Sequence, residues 1–259
     1  MSGEGEYDHA MVTLLELVWG DGFLSPGGPE EVARLLEGSS VEGARVLDIG
    51  CGIGGVDLLL ARDHGARHVL GIDIDPSLVA RAVARAQAQG MAGRVDFEVV
   101  KPGILPFPGG SFDVVFSKDA MVQIPDKPAL FAEVMRVLTP NGRFIASDWL
   151  KGRPGPYSPA MRAFFKLEGL TYNMATPATY RAALARAGFV DIRLDDRNAW
   201  YREVARREWQ AMQDGLKDRM VELLGPAKHA HFVANWGAMV AVLDTGELRP
   251  AHLKARRPG

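Results

Sequence analysis

Three glycines, Gly50, Gly52 and Gly55, lie between two acids, Asp48 and Asp73, with Asp73 eighteen residues past the last glycine. The stretch Arg45-Val46-Leu47-Asp48-Ile49-Gly50-Cys51-Gly52-Ile53-Gly54-Gly55 is an apolar run broken by one acid and closed by glycines. Such a run reads as a buried parallel strand turning sharply into a helix, with bare backbone where a ligand must come close. Its glycines satisfy G-x-G-x-x-G, a loop that receives a nucleotide-like ligand. Asp73, at the end of the next strand, suits the paired hydroxyls of a ribose; the alternative is a strand-end acid that caps its turn. Asp75 differs, because Pro76 and an apolar-periodic stretch follow it, which makes it a helix N-cap with proline at the first helical position.

Two cofactor classes can claim this loop. A dinucleotide brings a pyrophosphate that wants donors, and Asp48 would turn a negative charge towards it. The sulfonium and ammonium of S-adenosylmethionine reverse that preference, and this cofactor has no phosphate to cradle.

The elements that must position these residues follow from periodicity. Strands are expected at Arg45 to Ile49, His68 to Ile72, Arg94 to Val99, Phe112 to Phe116 and Gly142 to Ser147, with helices at Val56 to His64, Ser77 to Gln89 and Pro128 to Leu138 between them. Ahead of this core, Glu6 to Trp19 has helical spacing, Phe23 to Gly28 is rich in turn residues, and Pro29 to Leu36 opens a helix with its proline. After it come helices at Ala160 to Leu170 and Pro177 to Ala187, the second closed by Gly188. A sixth strand at Val190 to Leu194, two long helices at Tyr201 to Leu224 and Ala227 to Leu243, and a last strand around Leu248 to Ala255 complete the chain.

The chain has 259 residues, 47% hydrophobic and 24% charged, with a net charge of −2. This suits one domain with a sizeable core and an appended cap, and gives no general attraction to nucleic acid or membrane surfaces. The expected partner is a small molecule. Cys51 is the only cysteine, so no internal disulfide or thiolate cluster forms. The N-terminal residues lack the basic-then-apolar order of a signal peptide, which places the protein in the cytoplasm. His229 and His231, two apart in a helix, face different directions, and no metal site is expected.

Three further segments, Leu105-Pro106-Phe107-Pro108 with Ser111-Phe112-Asp113-Val114-Val115-Phe116, then Ser117-Lys118-Asp119-Ala120, then Leu138-Thr139-Pro140-Asn141-Gly142-Arg143-Phe144, follow the glycine loop and Asp73 in order. Together they resemble the class I S-adenosylmethionine-dependent methyltransferases over roughly Leu24 to Asp195. The resemblance implies an α/β, Rossmann-like sheet of seven strands with the last antiparallel, helices on both faces, an N-terminal lid over 1–28, a cofactor-binding core over 29–195, a helical cap over 196–246 and the last strand at 247–257. It assigns the methionine end of the cofactor to Asp48, Gly50 and Gly52, the ribose to Asp73, and the strand-four edge to Ser117 and Lys118. Leu24, Ser25, Cys51, Ile74, Pro102 and Gly103 complete the implied cofactor contacts. Within that family the chain is similar to the phosphoethanolamine N-methyltransferases. Tyr7, Gly20, Phe23, Leu24, Ser25, Gly27 and Gly28 match their front segment, which implies Tyr7 on a lid over the transfer site and Asp119 orienting an acceptor amine.

The departures carry information too. Gln123 stands where those enzymes have a histidine, and it hydrogen-bonds without taking up a proton near neutral pH. Their tyrosine-rich phosphate pocket is replaced by Trp149, Phe164, Phe165 and Leu170, which points to a larger or more apolar acceptor. Lys101 and Pro102 replace an acid and a free backbone N–H at the adenine edge, so adenine must rely on stacking, Gly103 or water, or on a shifted loop. In the cap, Trp200, Tyr201, Trp209, Met212, Trp236 and Met239 are core residues or, in the alternative, partly an acceptor pocket, with Trp200 joining Trp149 and Phe164 there. The expected activity is methyl transfer to a small molecule, first an amine nitrogen, alternatively an oxygen or carbon of a secondary metabolite. The reading from another class is a non-catalytic cofactor-binding relative. A monomer or homodimer is expected.

Overall fold

The computed structural model describes residues 9–169 and 172–259. Two helices, α1 (His9–Trp19) and α2 (Gly28–Leu36), precede the sheet. The core then alternates β1 (Arg45–Ile49), α3 (Gly55–Arg62), β2 (His68–Asp73), α4 (Pro76–Ala88), β3 (Val95–Val99), β4 (Phe112–Lys118), α5 (Lys127–Val137) and β5 (Leu138–Lys151). After it run α6 (Pro159–Glu168), α7 (Pro177–Arg186) and β6 (Val190–Asp196). The cap, α8 (Asn198–Gln213), α9 (Lys217–Leu224) and α10 (Pro226–Asp244), leads to β7 (Leu248–Arg256).

Alternation within each strand separates two apolar layers, because successive side chains leave a strand on opposite faces. Val46, Val69 and Val114 pack on one side with Val32, Leu35 and Leu60 of the flanking helices. Leu47, Leu70 and Val115 pack on the other with Phe131, Tyr180 and Leu184. The seven strands take the order β3-β2-β1-β4-β5-β7-β6, with β7 antiparallel to both neighbours. Chain direction across the sheet reverses between β1 and β4, and the crevice at the carboxyl ends of such a pair is where ligands enter an open α/β sheet. Asp48, the glycine loop and Asp119 all lie at that crevice.

Helix starts follow local chemistry. Asp75, Asp126, Ser158 and Thr176 each accept a backbone N–H of the following turn, with proline at the first or second helical position, so cap and proline together fix where α4, α5, α6 and α7 begin.

Two expectations change. The last parallel strand runs from Leu138 to Lys151 because β7 pairs with it from Arg143 to Lys151, extending it past Ser147. The helix expected from Tyr201 to Leu224 divides into α8 and α9 at Asp214, Gly215 and Leu216, where an aspartate followed by glycine ends the helix.

The front segment is seated on the glycine loop. Gly22 donates to Glu16 (2.8 Å), and Arg85 of α4 reaches Asp21 (2.7 Å) and Glu16. A Cβ on Gly55 would sit 2.1 Å from the Gly22 carbonyl oxygen. Backbone cannot swing aside as a side chain can, so Gly55→Ala is expected to destabilise the fold by about 2 kcal/mol. Urea unfolding measures this, and a midpoint equal to wild type would show that the front segment is not packed there.

Candidate active site

The glycine loop is held by its neighbours' backbone. Gly50 and Cys51 N–H both donate to the Ile72 carbonyl (2.8 and 3.1 Å). Gly50 has φ of +81°, and a Cβ there would lie 2.2 Å from the Ala120 methyl, so both conformation and space require glycine. Asp73 binds the loop from the other side: its carboxylate accepts from Gly52 N–H and from Asp75 N–H, each at 3.0 Å.

Asp48 is buried, and its Oδ1 has no partner among the described residues. Beneath it, Asp57 of α3 is fully buried and shares a hydrogen bond with Asp48. Asp57 escapes sequence reasoning, since an acid in the first turn of a helix reads as a solvated dipole partner. Its flanking run, Val56 and Leu58-Leu59-Leu60, was the available signal. Burial, then the charge of Asp73, pushes Asp48 up to about 7. Burial and the charge of Asp48 push Asp57 well above its ordinary value.

This arrangement fits S-adenosylmethionine. An unpartnered buried carboxylate oxygen on the cavity wall is an acceptor for a cationic group and a poor neighbour for a pyrophosphate. A pH dependence follows. The folded Asp48 binds its proton more tightly than the unfolded side chain, near 3.9, so its contribution to stability is full below about pH 4 and is lost as pH rises towards 7. A cationic ligand favours the ionised form, and its affinity rises over the upper part of that range. Between pH 6 and 8, S-adenosylmethionine affinity is expected to rise about tenfold with proton release, read by calorimetry in buffers of different ionisation enthalpy. A flat profile would remove Asp48 from the ligand's charged end.

The strand-four edge is arranged differently from the sequence expectation. Ser117 is fully buried and donates to the Ile49 carbonyl (2.7 Å), bridging β1 and β4 behind the cavity wall. Lys118 Nζ donates to Ser25 Oγ (2.7 Å), the Pro26 carbonyl (2.9 Å) and Asp119 Oδ2 (2.8 Å). It is an anchor joining the front segment to the crevice, and it occupies Ser25. Asp119 follows in the left-handed region at φ +59°, its N–H bonded to the Ser147 carbonyl (2.8 Å) and its Oδ1 to the Ser147 hydroxyl (2.9 Å). These contacts fix the carboxylate in direction.

Gln123 ends a 3₁₀ turn, Met121–Gln123, that faces the cavity. The turn is gripped by buried groups: Lys127 Nζ reaches the Met121 carbonyl (2.6 Å), and Asp148 accepts from Val122 N–H (2.9 Å) and from the Tyr180 hydroxyl. Burial pushes Asp148 up to about 7.

One cavity of about 1350 Å³ is lined by Asp48, the glycine loop, Asp73, Asp119 and Gln123 together. It exceeds a pocket for a single drug-sized ligand, roughly 300–1,000 Å³, and leaves room for a cofactor and an acceptor together. Leu24, Cys51, Ile74, Pro102 and Gly103 line one part, and Trp149 and Phe164 another. Trp200 is a correction: it lies outside the lining and stacks on the Arg197 guanidinium (4.6 Å). One residue along a helix is a rotation of roughly 100°, so Tyr201 takes the inward position. The other cap aromatics divide in the same way, Trp236 and Met239 lining the cavity while Met212 is core and Trp209 donates to the Val233 carbonyl (2.8 Å). Trp19, Glu168, Tyr172 and Asn235 also line the cavity and have no local motif that marks them. Tyr7 lies outside the described residues.

Comparison with known proteins agrees with this geometry. A family profile described as a methyltransferase domain matches residues 46–142. The chain is 33% identical over 245 residues to a phosphoethanolamine N-methyltransferase of Triticum aestivum, covering 94% of this chain and 47% of that protein. It is 32% identical over 232 residues to phosphoethanolamine N-methyltransferase 1 of Arabidopsis thaliana, covering 89% and 46%. It thus spans about half the length of the curated relatives it matches. The solved structure of Haemonchus contortus phosphoethanolamine N-methyltransferase 2 in complex with S-adenosyl-L-methionine superposes with a TM-score of 0.89 at 25% identity, covering 99% of this chain and 59% of that one. From its strand order, its glycine loop with a buried acid, and these relatives, the chain belongs to the class I S-adenosylmethionine-dependent methyltransferases, beside the phosphoethanolamine N-methyltransferases.

Proposed function

We propose that this chain transfers a methyl group from S-adenosylmethionine to an amine nitrogen of a small molecule. The observation that carries the reading is Asp119: a carboxylate fixed by Lys118 and Ser147 on the wall of the cavity that the glycine loop also lines. When bound, the cofactor supplies a methyl group on a sulfonium, open to in-line displacement. Asp48 and the loop backbone hold its amino-acid end, and Asp73 its ribose. Asp119 accepts a hydrogen bond from the acceptor N–H and orients the lone pair, and Gln123 holds the same group from the adjoining turn. With glutamine in place of a histidine, the amine arrives neutral or gives its proton to Asp119 or to solvent. The lid and aromatic walls exclude water. Tyr7 is assigned to that lid.

An acceptor screen with mass detection tests the reading, the expected product being the acceptor one methyl heavier with S-adenosylhomocysteine formed beside it. Turnover of phenols or carbon acids with no amine turned over would move the reaction to oxygen or carbon. Cofactor binding with no turnover of any acceptor would favour a non-catalytic relative. We place the protein in the cytoplasm as a monomer or homodimer; no described helix is long and apolar enough to cross a membrane.

A further inference from the structure

Beyond Asp119 and Gln123 the cavity is walled by Trp19, Trp149, Phe164, Tyr201 and Trp236. Ring pairs Trp19–Trp236 and Trp149–Tyr201 stand with centroids 5.8 and 5.0 Å apart. The walls are set from behind by Glu208, which accepts from Trp19 Nε1 (2.9 Å) and Trp236 Nε1 (3.1 Å). Both indole donors are therefore consumed, and the Tyr172 hydroxyl donates to Glu168 (3.1 Å).

Among the acceptors at this end, one stands without a donor. Asn235 Nδ2 donates to Glu168, which fixes the amide orientation. Its Oδ1 is then buried with no partner among the described residues, on a residue only 4% exposed that lines the cavity. A buried acceptor without a donor is costly and marks a place where a ligand group belongs.

A phosphate finds no uncommitted cationic side chain among the rings. Among the described residues, the basic ones lining the cavity are Lys101, beside Pro102, and Lys118, already committed to Ser25, Pro26 and Asp119. The undescribed residues, 1–8, Leu170 and Thr171, include no lysine or arginine. Glu168 would repel a phosphate brought to the aromatic end.

We propose that the acceptor is a non-phosphorylated amine with an apolar or aromatic body and a second hydrogen-bond donor at its far end, received by Asn235 Oδ1 and Glu168. This rests on the N-methyltransferase reading and narrows it. The amine meets Asp119 and Gln123, the body lies between the rings, and the donor satisfies the orphaned oxygen.

The experiment uses full-length protein saturated with S-adenosylhomocysteine and titrated calorimetrically with tyramine, phenethylamine and phosphoethanolamine, with tryptophan fluorescence as a second readout. Tyramine is expected to bind about fivefold or more tightly than phenethylamine, which lacks the far donor, and phosphoethanolamine to show no saturation. Asn235→Leu should erase the difference between the two aryl amines with S-adenosylhomocysteine affinity unchanged. Should that variant not fold, Glu168→Gln should narrow the same difference. Phosphoethanolamine binding as tightly as tyramine, an undiminished difference in a folded variant, or no binding of either aryl amine by protein that binds S-adenosylhomocysteine would overturn the proposal. Failure of wild-type protein to bind S-adenosylhomocysteine at all would instead sink the methyltransferase reading.

Discussion

Asp73→Ala is expected to weaken S-adenosylhomocysteine binding by at least a hundredfold. The carboxylate has two tasks. It accepts the Gly52 and Asp75 N–H groups at 3.0 Å and so holds the loop against the end of β2, and it lines the cavity, where we propose that it receives the ribose. Hydrogen bonds to a charged group are worth about 1.5–3 kcal/mol each, and losing two gives roughly 3–6 kcal/mol, a factor of more than a hundred. A second signature separates this from simple loosening. The charge of Asp73 helps to hold Asp48 up near 7, so in the variant the pH midpoint of residual cofactor binding should move down. A loss below about fivefold would mean that the strand-end acid does no more than cap its turn.

Asp119→Asn is expected to lower kcat by two to three orders of magnitude, the range for removal of a positioned acid or base, with cofactor affinity within about threefold of wild type. Asparagine is the informative replacement. The residue sits at φ +59°, a conformation that asparagine tolerates and alanine does not, so the change falls on charge with the backbone unstrained. Lys118 keeps Ser25 and the Pro26 carbonyl as partners. Stopped-flow or steady-state kinetics beside calorimetry would show the split. A parallel fall in cofactor affinity would place Asp119 at the cofactor and not at the acceptor.

The part of the site proposed for the cofactor was legible as a cluster because its elements are local. The strand, the glycines, Asp48 and Asp73 lie within one stretch whose periodicity and spacing fix their relation, and Asp75 was readable as a cap because proline follows it. The proposed acceptor half is assembled from distant segments. Glu168 of α6 meets Asn235 of α10, and which cap aromatic turns inward depends on where α8 starts. That start is set by Asp196 accepting Asn198 N–H (2.8 Å) and by Asn198 Nδ2 bonding the Leu243 and Leu248 carbonyls, each at 3.0 Å. Asp196 is local, but Leu243 and Leu248 lie outside any window around Asn198, so Trp200 and Tyr201 could not be told apart. The bonds of Ser117 and Lys118 were out of reach for a related reason: their partners, Ile49, Ser25 and Pro26, are remote, so the sequence could not show that Ser117 lies behind the cavity wall while Lys118 lines it.

The position of β7 sets an order of events on the ribosome. Strands β1 to β5 can pair as they emerge, giving a parallel half-sheet, but β6 has β7 as its only neighbour. Until the cap has been synthesised, the nascent chain carries β6 without a mate and the edge of β5 from Arg143 to Lys151 without cover. Open edges of this kind recruit other chains, and synthesis at about 5–20 residues per second leaves them open for seconds. Closure of the sheet therefore waits on the cap that also walls the acceptor chamber, and a chain stopped before Leu248 would lose the sheet's completion and the far wall together.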